Sequence, residues 1–309
     1  MCDRISVLRN GQNVLTLRRT EASEEAFVRA MVGDEMNIEG SVMFTDRSAQ
    51  TKVSAKGQAP MLDLQSVNLI NSDGIAQLKD VNLQIQPGEI LGVSGVAGNG
   101  QRELAEAILQ ILPPTSGKIC VCGKDLTGHK VTETLAAGIS YIPEDRLHDG
   151  FLPKASVAHN LILGSHNREP YAKNGFIDWN AVYKKTEEQI EHYHIKTGGP
   201  QDVGANLSGG NIQRVMIARA VEQGTTLLVA HNPTRGLDIP SMDFFYNILL
   251  EKKQQGMGIL LISENLDELL LMCDRIAVLY RGEVMGVLGR DRYEKYEIGR
   301  MMSGVRTDA

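Results

Sequence analysis

Apolar and polar residues alternate through positions 61–70 and 77–86, the two-residue period of half-buried antiparallel strands. The pattern then changes. Positions 89–94 form a strand-length apolar run, 95–100 are rich in glycine, and Leu104, Ile108 and Ile111 recur at helical spacing across 101–112. Strand, glycine-rich turn and helix in that order are the setting of a phosphate-binding loop. Further on, Ile212, Val215, Met216, Ala218 and Ala220 mark a second helix, and 179–193, opening at Trp179, reads as an amphipathic one. The run 258–263 is again strand length. No stretch approaches 18 consecutive apolar residues, so no transmembrane helix is expected. The opening MCDRISVLRN carries no apolar segment of signal-peptide type.

A repeat changes the picture of domain organisation. Residues 1–11 read MCDRISVLRNG and residues 272–282 read MCDRIAVLYRG, identical at eight of eleven positions with an offset of 271. The correspondence continues without gaps through Leu17 and Leu288, Arg29 and Arg300, and Gly33 and Gly304. Each copy predicts a strand, a glycine-containing turn, a second strand and a short helix. The expectation is a tandem protein: 1–35 as the tail of one unit, 36–60 as a polar linker, and 61–309 as a whole unit. A strand pair without its sheet cannot bury its apolar face, so 1–35 should dock elsewhere or be poorly ordered.

Composition adds limits. The chain has 309 residues, 42% hydrophobic and 23% charged, enough for a sizeable core. Thirty-two Lys and Arg against 38 Asp and Glu leave a net charge of −6, which argues against a nucleic-acid partner. Cys2, Cys120, Cys122 and Cys273 follow no zinc spacing and are read as reduced thiols, with Cys120 and Cys122 as strand neighbours. His192 and His194, two apart on the expected helix, face different ways and make no metal pair.

The phosphate loop keeps its frame and loses its charges. Gly95 and Gly100 stand where GxxxxGK followed by Ser or Thr needs them, with Gly98 and Asn99 between. Gln101 takes the place of the lysine that meets the β- and γ-phosphates, and Arg102 the place of the hydroxyl that binds Mg²⁺. A neutral amide supplies no cation, and a guanidinium repels one. Three roles stay open: a loop kept for its turn, weak nucleotide binding through Gly95, Gly98, Asn99, Gly100, Gln101 and Arg102, or a hydrolytic half-site.

The segment NLSGGNIQRVMIARAV at 206–221 resembles the signature motif of ATP-binding-cassette (ABC) ATPases. TTLLVAHNPTRGLD fits their Walker B strand and D-loop, ISENLDELLLMCDRIAVLYRGEVMGVL the H-loop and closing hairpin, and YIPEDRLHDGFL the Q-loop. Order and spacing match from about 61 to 305. YIPEDR, GNGQ and PTRGLD are similar to the second cassette of tandem ATPases that serve simple-sugar and nucleoside importers. The resemblance implies an α/β fold: a P-loop NTPase cassette with a RecA-like core, an antiparallel β piece from 61–90 and a helical insert at about 148–205.

It also implies a division of parts. In that family two cassettes pair head to tail, each ATP lying between the Walker motifs of one and the signature of the other. At the Walker B positions for the Mg²⁺-organising Asp and the water-polarising Glu stand His231 and Asn232, at the switch-His position Glu264, and at the Q-loop Gln position Glu144. A neutral imidazole suits Mg²⁺ poorly, and Asn232 cannot accept a proton from water. No aromatic residue stands at 71–75 to stack on adenine. The signature is intact. Ser208, Gly209, Gly210 and Asn211 open a helix whose first N–H groups can meet an anion, though Ser208 could equally be a simple N-cap. Asp238 of the D-loop is expected near the dimer seam. The implied reading is a degenerate, C-terminal ATP-binding subunit of an importer at the cytoplasmic face of the membrane, lending its signature to Mg²⁺-ATP held by the first cassette. Its partners would be that cassette, the transmembrane permease and, indirectly, a solute-binding protein. Phe151, Leu152 and Val157 are candidates for the permease-facing surface, or ordinary core, and Glu144-Asp145-Arg146 is either a loop salt bridge or a coupling element. The alternatives are a non-hydrolytic regulatory or dimerisation module and a soluble non-transport ABC protein. The short linker and the lack of heptads argue against the last.

Overall fold

Strands buried on both faces must be apolar along their whole length, and the segments ILGVS, LLVAH and GILLI meet that demand. The computed structural model describes residues 2–9, 11–21, 23–32, 41–42, 59–222 and 224–306. The expected linker at 36–60 lies outside the described residues except at 41–42 and 59–60, as does Gly33 of the repeat.

In chain order the elements are β1 (Arg4–Arg9), β2 (Gln12–Arg18), α1 (Glu24–Val32), β3 (Leu62–Ile70), β4 (Ala76–Ile85), β5 (Ile90–Ser94), α2 (Gln101–Ile108), β6 (Ser116–Val121), β7 (Lys124–Asp125), α3 (Val131–Ala136), β8 (Ile139–Ile142) and α4 (Val157–Ile162). They continue with β9 (Ala172–Lys173), β10 (Phe176–Ile177), α5 (Trp179–His192), α6 (Gly209–Glu222), β11 (Leu227–His231), α7 (Ile239–Gln254), β12 (Gly258–Ile262), α8 (Leu266–Met272), β13 (Arg275–Tyr280), β14 (Glu283–Gly289) and α9 (Lys295–Met302).

The central sheet runs β14-β13-β5-β12-β11-β8, parallel except for β14. Successive side chains of β11 enter opposite cores. Leu227 and Val229 face the layer formed by α2 and the antiparallel sheet β4-β3-β6-β7, while Leu228 and Ala230 face the layer of α6, α7 and α8. Because β5, β8, β11 and β12 run the same way, the loops that follow them meet at one edge. That edge collects 95–100, Glu144, His231-Asn232 and Ser263-Glu264.

The repeat is structural. Subtracting 271 from the bounds of β13 and β14 returns those of β1 and β2, and α1 starts where α9 does. Even the register slip recurs, between Val7 and Leu8 and between Val278 and Leu279. The two copies differ in company. β13 pairs through its second edge with β5, from Arg275 opposite Leu91 to Val278 opposite Ser94, whereas among the described residues β1 pairs with β2 alone. The amino-terminal unit docks: α1 lies against α7. At 41–42, Ser41 Oγ and the Val42 N–H both donate to Asp243 Oδ1, at 2.7 and 2.8 Å, and Val42 is buried in the core.

Several expectations change. The antiparallel sheet draws only half its strands from 61–90, because β6 and β7 at 116–125 complete it. Helix α2 stops at Ile108, so Ile111, expected on the helix, lies beyond it and is exposed. Phe151 and Val157 are buried, and of the three surface candidates only Leu152 is exposed. Asn160, fully buried, holds this stretch by accepting from the Leu152 N–H (2.8 Å) and donating to the Leu152 carbonyl (3.0 Å). Cys120 lies in β6, but Cys122 falls in the following turn with φ 50°, and all four thiols are free.

The turn between β13 and β14 packs onto β4 through a glycine. Gly282 has φ +78°, and a Cβ there would lie 2.2 Å from the Gln77 carbonyl oxygen. Gly282→Ala should therefore destabilise the chain by about 1–3 kcal/mol, read as a lower urea midpoint with unchanged m-value. A wild-type midpoint would show that this contact yields without cost.

Candidate nucleotide site

The glycine-rich loop runs from the end of β5 to the first turn of α2, and glycine is required where it bends. Gly98 has φ +83° and Gly100 φ +106°. Asn99 ties the loop to the β13–β14 turn: its side-chain oxygen accepts from the Arg281 N–H (2.9 Å) and its carbonyl from the Gly282 N–H (2.9 Å). Gln101 is buried, and its amide is turned back into the loop. Its Oε1 accepts from the Asn99 N–H (3.1 Å) and its Nε2 donates to the Val96 carbonyl (3.0 Å). Gly95 leaves room for this, since a Cβ there would lie 2.7 Å from that Nε2. Arg102 points away and pairs with Glu106 at 2.7 Å, which raises the guanidinium above its ordinary pKa.

Across the edge, Glu144 is the hub. Its Oε1 accepts from Asn232 Nδ2 (3.0 Å) and from Arg235 Nη1, and its Oε2 lies 3.8 Å from His231 Nε2. Glu144 thus turns inward, rather than pairing within 144–146. Asp145 caps the following turn by accepting from the His148 N–H, and Arg146 donates to the Arg235 carbonyl. Asn232, with φ 44°, uses both ends of its side chain, because its Oδ1 also accepts from the Glu264 N–H (3.0 Å). It pins the 144 and 264 loops together. His231 is buried, and that burial pushes its pKa down, against the opposing pull of Glu144 and Glu264.

The chemistry of this donor set does not fit the magnesium triphosphate that the resemblance implies. No carboxylate stands at the end of β11, the amide of Asn232 is spent on loop contacts, and the loop's own amide contact occupies the Gln101 position. Among the described residues no group of three His, Cys, Asp or Glu side chains could hold a metal ion.

The signature presents a different surface. Ser208 and Gly209 are exposed at the start of α6. Asn211 bridges the turn: its Nδ2 donates to Ser208 Oγ (2.8 Å), and its Oδ1 accepts from the Lys196 N–H (2.8 Å). A Cβ on Gly210 would lie 3.2 Å from Ser241 Oγ, but one on Gly209 would meet nothing within 4 Å. Asp238 is the N-cap of α7, accepting from the Ser241 N–H at 3.0 Å. An open cleft of about 1330 Å³ joins Arg102, Glu144, His231 and Arg235 to Leu207 and Gly209.

Some members of this assembly were not legible as motifs. Gln213 donates to the Pro233 carbonyl (2.7 Å), joining α6 to the loop after β11. Buried Glu268 accepts from Thr234 Oγ1 (2.9 Å) and Ser263 Oγ (2.5 Å), behind Asn232 and Glu264, and burial raises its pKa. Arg219 of α6 donates to the Gly150 carbonyl (2.7 Å), and burial lowers its pKa to about 10.

Comparison with known proteins follows the same lines. The family model described as ABC transporter matches residues 78–235. The nucleoside import ATP-binding protein NupA of Lactococcus lactis is 32% identical over 304 residues, covering 98% of this chain and 58% of that protein. The guanosine import ATP-binding protein NupO of Bacillus subtilis is 33% identical (98% and 58%), and the glucose import ATP-binding protein TsgD13 of Haloferax volcanii 34% (98% and 54%). The chain thus spans a little over half the length of these relatives. Among solved structures, a dimeric ATP-binding cassette with bound ADP and phosphate superposes with TM-score 0.65 at 21% identity, over 75% of this chain and all of that one. The ADP form of a transporter cassette superposes with TM-score 0.62 at 21% identity, over 79% and 95%. These show the fold: a P-loop NTPase cassette.

His231 makes a prediction of its own. Its folded pKa lies below the unfolded value, so the folded chain binds that proton less well. The stability this contributes is fully present above about pH 6.5 and is lost as pH falls through the folded value. In urea unfolding at stepped pH, wild type should lose stability relative to His231→Gln as pH drops below about 6.5. A difference independent of pH would rule out a buried neutral imidazole.

Proposed function

We propose, on the premise that this chain belongs to the ABC transporter family, that it is a degenerate cassette donating its signature to ATP held by a partner cassette. The observation that carries the reading is Gly209. It is exposed at the first residue of α6, and a Cβ there would meet nothing within 4 Å, so no neighbour in the chain requires the missing side chain. Open space at a helix N-terminus with free N–H groups suits an anionic ligand from outside the chain. Ser208, Gly209, Gly210 and Asn211 would face that ATP and its Mg²⁺, with Asp238 near the seam.

The partner in this reading is a preceding cassette of the same polypeptide. Residues 1–35 would be its tail, 36–60 the linker and 61–309 the second cassette, with the helical insert at about 148–205. Two observations support it: the element-by-element repeat at offset 271, and the two-fifths of each relative's length that this chain leaves unmatched. The relatives' names favour import of nucleosides or simple sugars, which would place the chain against a transmembrane permease at the cytoplasmic face, with a solute-binding protein acting indirectly. No helix among the described residues is long and apolar enough to cross a membrane.

Ser208→Arg in the assembled importer should lower solute uptake and ATP turnover at least about 100-fold, the scale of losing one preorganised donor, while this chain alone shows negligible ATPase activity. Uptake spared by Ser208→Arg would make the chain a binding module. Robust Mg²⁺-dependent turnover by the chain alone, lost on Asn232→Ala, would overturn the donor reading.

A further inference from the structure

We propose that Gln101 closes this chain's own phosphate loop, so that the loop takes no triphosphate. The inference deepens the donor reading and rests on it in one respect, that the working phosphate lies elsewhere. Its basis is how the Gln101 amide is used. A phosphate loop binds by aiming several backbone N–H groups at one point. A lysine folded over such a loop can only donate, so it leaves those N–H groups unspent. The carboxamide of Gln101 does both: Nε2 donates to the Val96 carbonyl and Oε1 accepts from the Asn99 N–H. The oxygen therefore sits on the Asn99 N–H, a loop donor that it shares with the Val96 carbonyl at 3.2 Å, and so adds a second acceptor where a phosphate oxygen would lie. The contact is buried, and the absent side chain of Gly95 accommodates it.

The surrounding charges point the same way. Arg102 is held by Glu106 at 2.7 Å and Arg235 by Glu144 at 2.5 Å, while Arg146 is directed to the Arg235 carbonyl. A polyanion entering the cleft would lie beside the Glu144 carboxylate and would compete with Glu106 and Glu144 for the Arg102 and Arg235 guanidiniums. A Walker B carboxylate would also be required for Mg²⁺ to help, and β11 ends in His231.

The test is isothermal titration of the chain with ATP and with pyrophosphate, each with and without Mg²⁺. Wild type should show no saturable binding of either at millimolar ligand. Gln101→Glu should match it, because a carboxylate can still accept from the Asn99 N–H and adds a negative charge. Gln101→Ala and Gln101→Lys should each bind pyrophosphate measurably, at least about tenfold more tightly than the wild-type detection limit, the scale of one charge-assisted N–H contact freed from the Gln101 oxygen. The gain should not depend on Mg²⁺. Saturable binding by wild type that Gln101→Ala leaves unchanged or weakens would overturn the proposal. So would Ala and Lys variants that unfold at the wild-type temperature yet bind no better than wild type. Wild-type binding that Gln101→Ala does not improve, without turnover, would sink this inference and leave the donor reading standing, whereas uptake spared by Ser208→Arg would do the reverse.

Discussion

Parallel pairing of β5 between β12 and β13 is the constraint on which the rest depends. Strands buried on both faces need helices or a second sheet on each side, and the two cores provide them. Their common direction brings the loops after β5, β8, β11 and β12 to one edge. The loops are therefore neighbours whatever side chains they carry. The same scaffold holds a phosphate-loop frame whether or not the groups that use phosphate remain.

At this edge the loops are joined to one another by internal contacts. Glu144 gathers Asn232, Arg235 and the buried imidazole of His231, and Asn232 reaches on to the Glu264 backbone. Buried polar groups must find partners, and these find one another. Fixed dipoles and paired charges thus organise the loops at this edge. The signature end shows the opposite economy. Asn211 orients Ser208, but the space at Gly209 is left unfilled by the chain itself.

The amino-terminal unit follows the same logic on a smaller scale. β1 and β2 repeat β13 and β14 down to the register slip, but the edge that β13 gives to β5 has no counterpart strand for β1 among the described residues. An edge of that kind presents unpaired backbone groups. Its docking comes instead through α1 against α7 and the Asp243 contacts to Ser41 and Val42.

Local chemistry was legible in the residues themselves. The strand–turn–helix order, the apolar strands, the repeat, and the absence of a carboxylate at His231 and Asn232 all depend on residue type and spacing. What those residues do with their side chains was not. Ile111 fell outside the core because α2 ends at Ile108, and Phe151 and Val157 went into it because α6 and Asn160 hold that segment inward. Asp238 caps α7, and Gln101 turns onto Asn99 and Val96. Sequence thus determined which charges are absent at Gln101, His231 and Asn232, because an absent charge cannot be supplied by folding. Only the tertiary structure decided where the remaining amides and carboxylates point, because each direction is set by partners that the sheet brings in from distant parts of the chain.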